Sequence, residues 1–279
     1  MAKQKASPIV WTSKESKAYL RNYRNYVSSE VHNTILDFHA HTVLALPARI
    51  PTYFVDPRLE NVIRETVSEE ELLEPHFKQC VNLPLIDFKK LERLCKLRIS
   101  SAANFSSKRK ISDNHLLKIL AGSFCELDRD RLHRPYPSAG GLFPVSVFVY
   151  KFPNRYNSLE AGCYYLLPKS RKLQKRALVV EPQMERRFYD SHHMNQPTAS
   201  IIYVLNIERA IFKYSFRGYR HGLIEVGSMV QALHTIGSAF GATTRCYSGQ
   251  FDHWFNKYLD LSSQTFLPLL IQQIGVQSE

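Results

Sequence analysis

The chain is poor in residues that staple or ligate. Its 279 residues include five cysteines, Cys80, Cys95, Cys125, Cys163 and Cys246, scattered singly with no C-x-x-C pair. An odd, unspaced set argues against a disulfide framework or a zinc ribbon and predicts buried free thiols in a reducing compartment. The eleven histidines show no H-x-x-x-H or other ligand spacing, so histidine-based zinc catalysis is set aside and no metal is expected. No apolar run approaches the roughly 18–20 residues of a membrane span. The start, Met1-Ala2-Lys3-Gln4-Lys5, leads into no apolar signal segment, so the expected location is the cytoplasm, away from a membrane.

Charge is present in excess of one sign. Lys and Arg number 37 against 25 Asp and Glu, a net charge of +12. Such a field attracts phosphates, acidic peptides or an acidic partner subunit. The basic residues are dispersed and sit in no nucleic-acid-binding motif, so no nucleic acid is expected; a merely solvated basic surface fits as well. The length allows one elaborated domain or a core with an N-terminal extension.

Residues 14–41 place Lys14, Lys17, Arg21 and Arg24 among Tyr19, Leu20, Tyr23, Val27, Val31, Ile35 and Phe38 at roughly helical spacing, before Pro47 and Pro51 break the pattern. An acidic stretch from Glu60 to Glu74 follows, with a helix-start signature at Ser68. Residues 1–95 read as an extension that docks a partner, wraps a sister subunit or is simply structural. Ser112 is a candidate cap for a helix through Leu116, Leu117, Ile119 and Leu120. Strands are expected at 145–151, 162–167, 200–207 and 266–274, with a long helix at 219–240. Strands followed by one long helix indicate an α+β domain over residues 96–279. Gly222, Gly227, Ser228, Gly237 and Ala239 punctuate that helix and permit close contacts, as in a buried central or dimer-forming helix.

The most informative stretch is Arg134-Pro135-Tyr136-Pro137-Ser138-Ala139-Gly140-Gly141-Leu142-Phe143-Pro144. Three prolines fix φ, while Gly140 and Gly141 permit conformations and close approaches that a Cβ forbids. Its glycine spacing is not G-x-G-x-x-G, and no Gly-Lys-Ser/Thr follows, so it is neither a Rossmann turn nor a Walker loop. A second island, Phe212-Lys213-Tyr214-Ser215-Phe216-Arg217-Gly218-Tyr219-Arg220, runs into the long helix and its Glu225, Gly227 and Gln231. Together the two islands resemble the SagB-type branch of the nitroreductase-like flavoenzymes, through its R-x-Y-P-S-A/G-G-x-L/Y-P and K-Y-x-x-R-x-Y-R-x-x-L-x-E-x-G-x-x-x-Q segments. Within the branch the chain is most similar to the azoline dehydrogenase subunit of microcin-type thiazole/oxazole synthases, over residues 97–275.

That resemblance implies a mixed sheet flanked by helices, a homodimer with FMN at the interface, and partnership with cyclodehydratase subunits acting on a precursor peptide. It implies Lys213 and Tyr214 as the catalytic pair. Arg98, Ser100 and Asn104 would meet the cofactor's phosphate and ribityl chain, for which a guanidinium fork and a hydroxyl are chemically suited. Pro137, Ser138, Ala139 and Gly140 would lie against the flavin, Ser138 bonding its polar rim. Arg220, Gln231 and Arg245 complete the cofactor set, although either arginine could instead pair with Glu225 or Asp252. Oxidising an azoline removes a proton from one ring carbon as hydride leaves another, so a base must stand near the ring. Lys213 could take that part with Arg217 and Arg220 as cationic neighbours, and Tyr214 that of relay or orienting donor. Taken alone, Lys213 and Tyr214 would also suit an ordinary surface pair at a strand end. An NAD(P)H-dependent reductase of small molecules shares the cofactor motifs, and a non-catalytic scaffold would retain only the fold.

Overall fold

The computed structural model describes residues 27–42, 100–126, 134–154, 159–176, 188–189, 194–248 and 252–278. The chain divides into two units, Met1–Leu44 with Lys96–Glu279 and, separately, Ala45–Cys95; every described residue lies in the first. The expectations placed on Lys14 to Arg24, on Pro47 and Pro51, on the acidic stretch from Glu60, and on Cys80, Cys95 and Arg98 lie outside the described residues.

Helix α1 (Ser29–Thr42) buries Ile35 and sets Phe38 edge-on against Tyr219, with His39 Nδ1 3.1 Å from the Tyr219 hydroxyl. Helix α2 (Asp113–Phe124) starts where expected: Ser112 caps it, its hydroxyl accepting from His115 N–H at 3.3 Å. Six strands follow among the described residues: β1 (Val145–Lys151), β2 (Gly162–Leu167), β3 (Lys172–Lys175), β4 (Ala199–Asn206), β5 (Thr243–Tyr247) and β6 (Phe266–Gly275), in the order β3-β2-β1-β4-β6-β5. All five pairings are antiparallel, which corrects the expected mixed sheet among the described residues. The successive strands β1, β2 and β3 form a meander, and short connections of that kind join only antiparallel neighbours. Pro268 of β6 sits where the register against β4 shifts, at a position where the missing N–H costs the ladder least.

The sheet is covered on both faces. Val147 and Val149 of β1 join Ile201, Tyr203 and Leu205 of β4 in one core with Leu116, Ile119 and Phe124 of α2. Their alternates, Phe148, Tyr150, Ile202 and Val204, form a second core with Phe188 and with Phe255 and Leu259 of the C-terminal helix, Asp252–Leu259. All eight residues of β4 are therefore buried. Cys125 and Cys163 are buried free thiols, whereas Cys246, at the edge strand β5, is exposed.

Two further helices carry the site. The expected strand at 200–207 stops at Asn206, whose side chain accepts from Arg209 N–H at 3.0 Å and caps α3 (Ile207–Tyr214). Ser215, at φ 50°, breaks the chain, and α4 (Phe216–Ala239) supplies the long helix. A Cβ on Gly218 would lie 2.5 Å from the Ala210 carbonyl carbon and 2.8 Å from Ile211 Cα, and one on Gly222 2.6 Å from a Leu205 methyl. Those two glycines let α4 press onto α3 and β4. Gly227 has nothing within 4 Å of its would-be Cβ, on the open side of the helix. Among the described residues the α-helices are, in order, α1 to α4 and α5 (Asp252–Leu259).

Candidate active site

Between Arg134 and Pro144 the chain turns on left-handed residues: Gly140 at φ 61°, Gly141 at φ 67° and, with a side chain, Phe143 at φ 45°. The bend closes through Gly141 N–H to Ser138 O (3.1 Å) and Leu142 N–H to Ala139 O (3.3 Å). Arg134 braces it, stacking over the Phe143 ring at 4.0 Å and donating to the Tyr136 hydroxyl at 3.1 Å. Buried Tyr136 packs edge-on against both Phe143 and Phe124, and burial pushes its phenol up to about 12. A left-handed residue with a side chain costs of order 1 kcal/mol, and this bracing offsets it.

Lys213 and Tyr214 come to the same place from the end of α3, which corrects the strand-end alternative. A Cβ on Gly140 would stand 2.5 Å from the Tyr214 hydroxyl and 3.0 Å from Lys213 Nζ. The loop and the pair, more than seventy residues apart in sequence, thus converge on one glycine. Lys213 is exposed, its ammonium 5.3 Å from the Tyr214 ring centre, and His221 of α4 packs edge-on against Tyr214 at 4.8 Å. His221 Nδ1 is buried without a hydrogen-bond partner. Nothing in the spacing of the histidines singled this residue out; only the α3–α4 turn brings it to Tyr214.

The first residues of the loop line an open groove of about 630 Å³ between Pro135–Pro137 and the outer side of α4, with Ile224, Gly227, Gln231 and Ile236 along its wall. Pro137 and Gln231 thus share one groove, Gln231 donating to Thr235 Oγ1 at 3.0 Å. Arg220 is exposed on α4. Ser138 is engaged with the protein: its hydroxyl donates to the Glu225 carboxylate and accepts from Phe143 N–H at 2.8 Å. Glu225 in turn accepts from Val145 N–H at 3.4 Å, so its partners are in the loop and β1 instead of the pairing considered with Arg220 or Arg245. Desolvation pushes the Glu225 carboxyl up to about 7, against the opposing pull of Ser138, Val145 N–H, Arg134 and Arg209.

Of the remaining candidates, Arg245 lies on β5 and donates to Ala102 O at 3.4 Å, while Ala102 N–H bonds Thr244 O at 3.0 Å. Ser100 is exposed; the side-chain oxygen of Asn104 is occupied, accepting from Phe105 N–H and Asn195 N–H, both at 2.8 Å. Among the described residues no helix is long and apolar enough to cross a membrane.

No protein-family model matches the chain. It is 30% identical over 256 residues to the microcin B17-processing protein McbC of Escherichia coli, spanning 90% of this chain and 92% of that protein. It is 26% identical over 201 residues to a protein of Methanocaldococcus jannaschii described as a nitroreductase, spanning 71% and 97%. Its fold superposes on a chain of the E. coli microcin synthetase McbBCD complex with truncated pro-MccB17 bound at a TM-score of 0.78 and 27% identity, covering 93% of this chain and 98% of that one. A Ralstonia eutropha structure described as a nitroreductase shares the fold, at a TM-score of 0.56 and 17% identity over 74% and 88%. With Lys213 and Tyr214 seated against the glycine loop of a nitroreductase-like fold, the chain belongs to the McbC family, the SagB-type branch of the nitroreductase-like proteins.

Proposed function

We propose that this oxidoreductase is an FMN-dependent azoline dehydrogenase, converting thiazoline or oxazoline rings of a ribosomally made precursor peptide into thiazoles or oxazoles. One observation carries the reading: the Tyr214 hydroxyl and the Lys213 ammonium meet at left-handed Gly140, an approach that a Cβ there would block. The groove between Pro135–Pro137 and α4 has the volume of a small-molecule site and mostly apolar walls, which suits a flavin ring. The phosphate would lie with Arg98, Ser100 and Arg245, of which the Ser100 segment and Arg245 are joined through Ala102. Bound FMN would supply the two-electron acceptor. Lys213 accepts the ring proton, and Tyr214, held between Lys213 and His221, orients it or passes it on. The apolar side chains of Leu223 and Ile224, 43% and 60% exposed on α4, are what a second copy of the chain would cover in a homodimer. McbC's place in a synthase complex supports a cyclodehydratase as the further partner.

The test uses the purified protein with cyclodehydrated precursor peptide and FMN. Lys213→Ala and Tyr214→Phe should bind flavin and remain folded while azoline accumulates, seen as the missing loss of about 2 Da per ring, with the rate down about 10²–10⁴-fold. A Lys213→Ala protein that oxidises azolines at full rate removes the residue from the mechanism. One that no longer binds flavin reassigns it to the cofactor. Wild-type protein that reduces small nitro compounds with NAD(P)H but leaves azolines untouched would replace the substrate assignment.

A further inference from the structure

Glu225 is 3% exposed on α4 and serves both ends of the glycine loop. One carboxyl oxygen pairs with the Ser138 hydroxyl and the other accepts from Val145 N–H, while Ser138 itself accepts from Phe143 N–H. Start, bend and exit of the loop thus hang on one buried group, with left-handed Gly140 and its Lys213 and Tyr214 contacts between them. Among the described residues the charged and titratable groups facing Glu225 are Arg134 and Tyr136 from the loop and Arg209 from α3.

A serine hydroxyl has one hydrogen and two lone pairs. Phe143 N–H occupies one lone pair, so the Glu225 carboxyl decides the rest. An ionised carboxylate can only accept, and it takes the hydrogen of Ser138. A protonated carboxyl can donate to the second lone pair, and the hydrogen of Ser138 is then free. We propose that Glu225 is a positioning residue that sets the direction of the Ser138 hydroxyl: ionised, it holds the hydroxyl hydrogen inward, and protonated, it releases that hydrogen to the flavin lying on the loop. This rests on the flavin reading of the groove. The change of state falls near neutral pH, because burial outweighs the two arginines and brings the carboxyl to about 7.

FMN affinity, measured by flavin fluorescence between about pH 5.5 and 8.5, separates the states in wild type, Glu225→Gln and Ser138→Ala. Glutamine offers an acceptor to Val145 and a donor to Ser138, as the protonated acid does, so its affinity should stay at the tight limit. Wild type should match it at low pH and weaken about three- to tenfold relative to it as pH rises through about 7, the worth of one hydrogen bond. Ser138→Ala should sit at the weak limit throughout. The flavin phosphate also titrates, near pH 6, but equally in all three, so the ratio to Glu225→Gln is the measure. A ratio independent of pH, or Ser138→Ala binding as tightly as Glu225→Gln, overturns the proposal.

Flavin-free protein gives a second readout. A carboxyl raised from 4.5 to about 7 in the fold stabilises it fully below 4.5 and loses that contribution as pH rises through about 7. The wild-type melting temperature should therefore fall relative to Glu225→Gln across that window, by up to about 10 °C. Equal pH dependence in the two proteins refutes the buried titration. If wild type binds no FMN at any pH, the flavin reading fails while this melting comparison still decides the proton. If Glu225→Gln does not fold, Ser138→Ala against wild type carries the test: a pH-dependent affinity ratio supports the proposal and a constant one sinks it.

Discussion

Replacing Gly140 by alanine should damage the chemistry far more than the fold. The new Cβ would lie 2.5 Å from the Tyr214 hydroxyl and 3.0 Å from Lys213 Nζ, both at the ends of flexible side chains that can swing away. Relief to ordinary contact moves the hydroxyl by about 1 Å, a misplacement that can cost about 10²-fold in rate. The stability cost is then mainly that of a left-handed alanine, about 1–2 kcal/mol, or roughly 2–8 °C in melting temperature for a unit of this size. Gly141→Ala is the matched control: φ is 67° there, and a Cβ would meet nothing within 4 Å. Both variants should melt at nearly the same temperature, and only Gly140→Ala should lose azoline oxidation, read as product mass under single-turnover conditions. Equal rates for the two variants would show that contact between the loop and the Lys213–Tyr214 pair does not set the chemistry. A Gly140→Ala protein that fails to fold while Gly141→Ala folds would show that Tyr214 cannot yield.

Gly218→Ala should fail differently, because its Cβ would collide with the Ala210–Ile211 backbone and force α3 and α4 apart; a loss of about 3 kcal/mol or more should appear as aggregation or a melting temperature lowered by at least about 6 °C. Tyr203→Phe removes a buried hydroxyl that donates to Gln272 Oε1 at 2.7 Å, leaving that oxygen unpaired while Gln272 Nε2 stays with Val230 O and Thr244. The expected cost is about 1–3 kcal/mol by denaturant titration, and an unchanged midpoint would refute it. Arg98→Ala should fold and lose about ten- to a hundredfold in FMN affinity, whereas unchanged affinity would remove Arg98 from the phosphate site.

Where sequence reasoning worked, the signal was local. Ser112 caps α2 through its own side chain, β1 and β2 fall on 145–151 and 162–167 as read, and the glycine loop announced its left-handed turns through its composition. It failed where the deciding contact lies far away in sequence. Helix α3 was merged into the preceding strand because Ile207, Ala210 and Ile211 are apolar in either state, and the cap at Asn206 is a single residue. The short edge strands β3 and β5 have too few residues to show a period. In β4 burial on both faces erases alternation, which left an apolar run without a defined end. At the site, Lys213, Tyr214 and the loop were visible as motifs. The bond from Ser138 to Glu225 spans 87 residues, and no spacing rule reaches across it. Gly222 showed the same blindness: it was read as permitting close contact, and only the fold says that the contact is with Leu205.

The joint at Ser215 divides labour between two helices. Lys213 and Tyr214 take their place from the end of α3, fixed by a left-handed serine and by Gly218 against the Ala210 carbonyl, whereas the groove wall is the solvent side of α4 from Ile224 to Ile236. Substitutions on that wall therefore act on the fit of whatever fills the groove, while the end of α3 keeps its own supports. Defects in the two parts are therefore separable: a change on the α4 wall alters the fit of the groove, and a change at the α3 end alters the pair at Gly140.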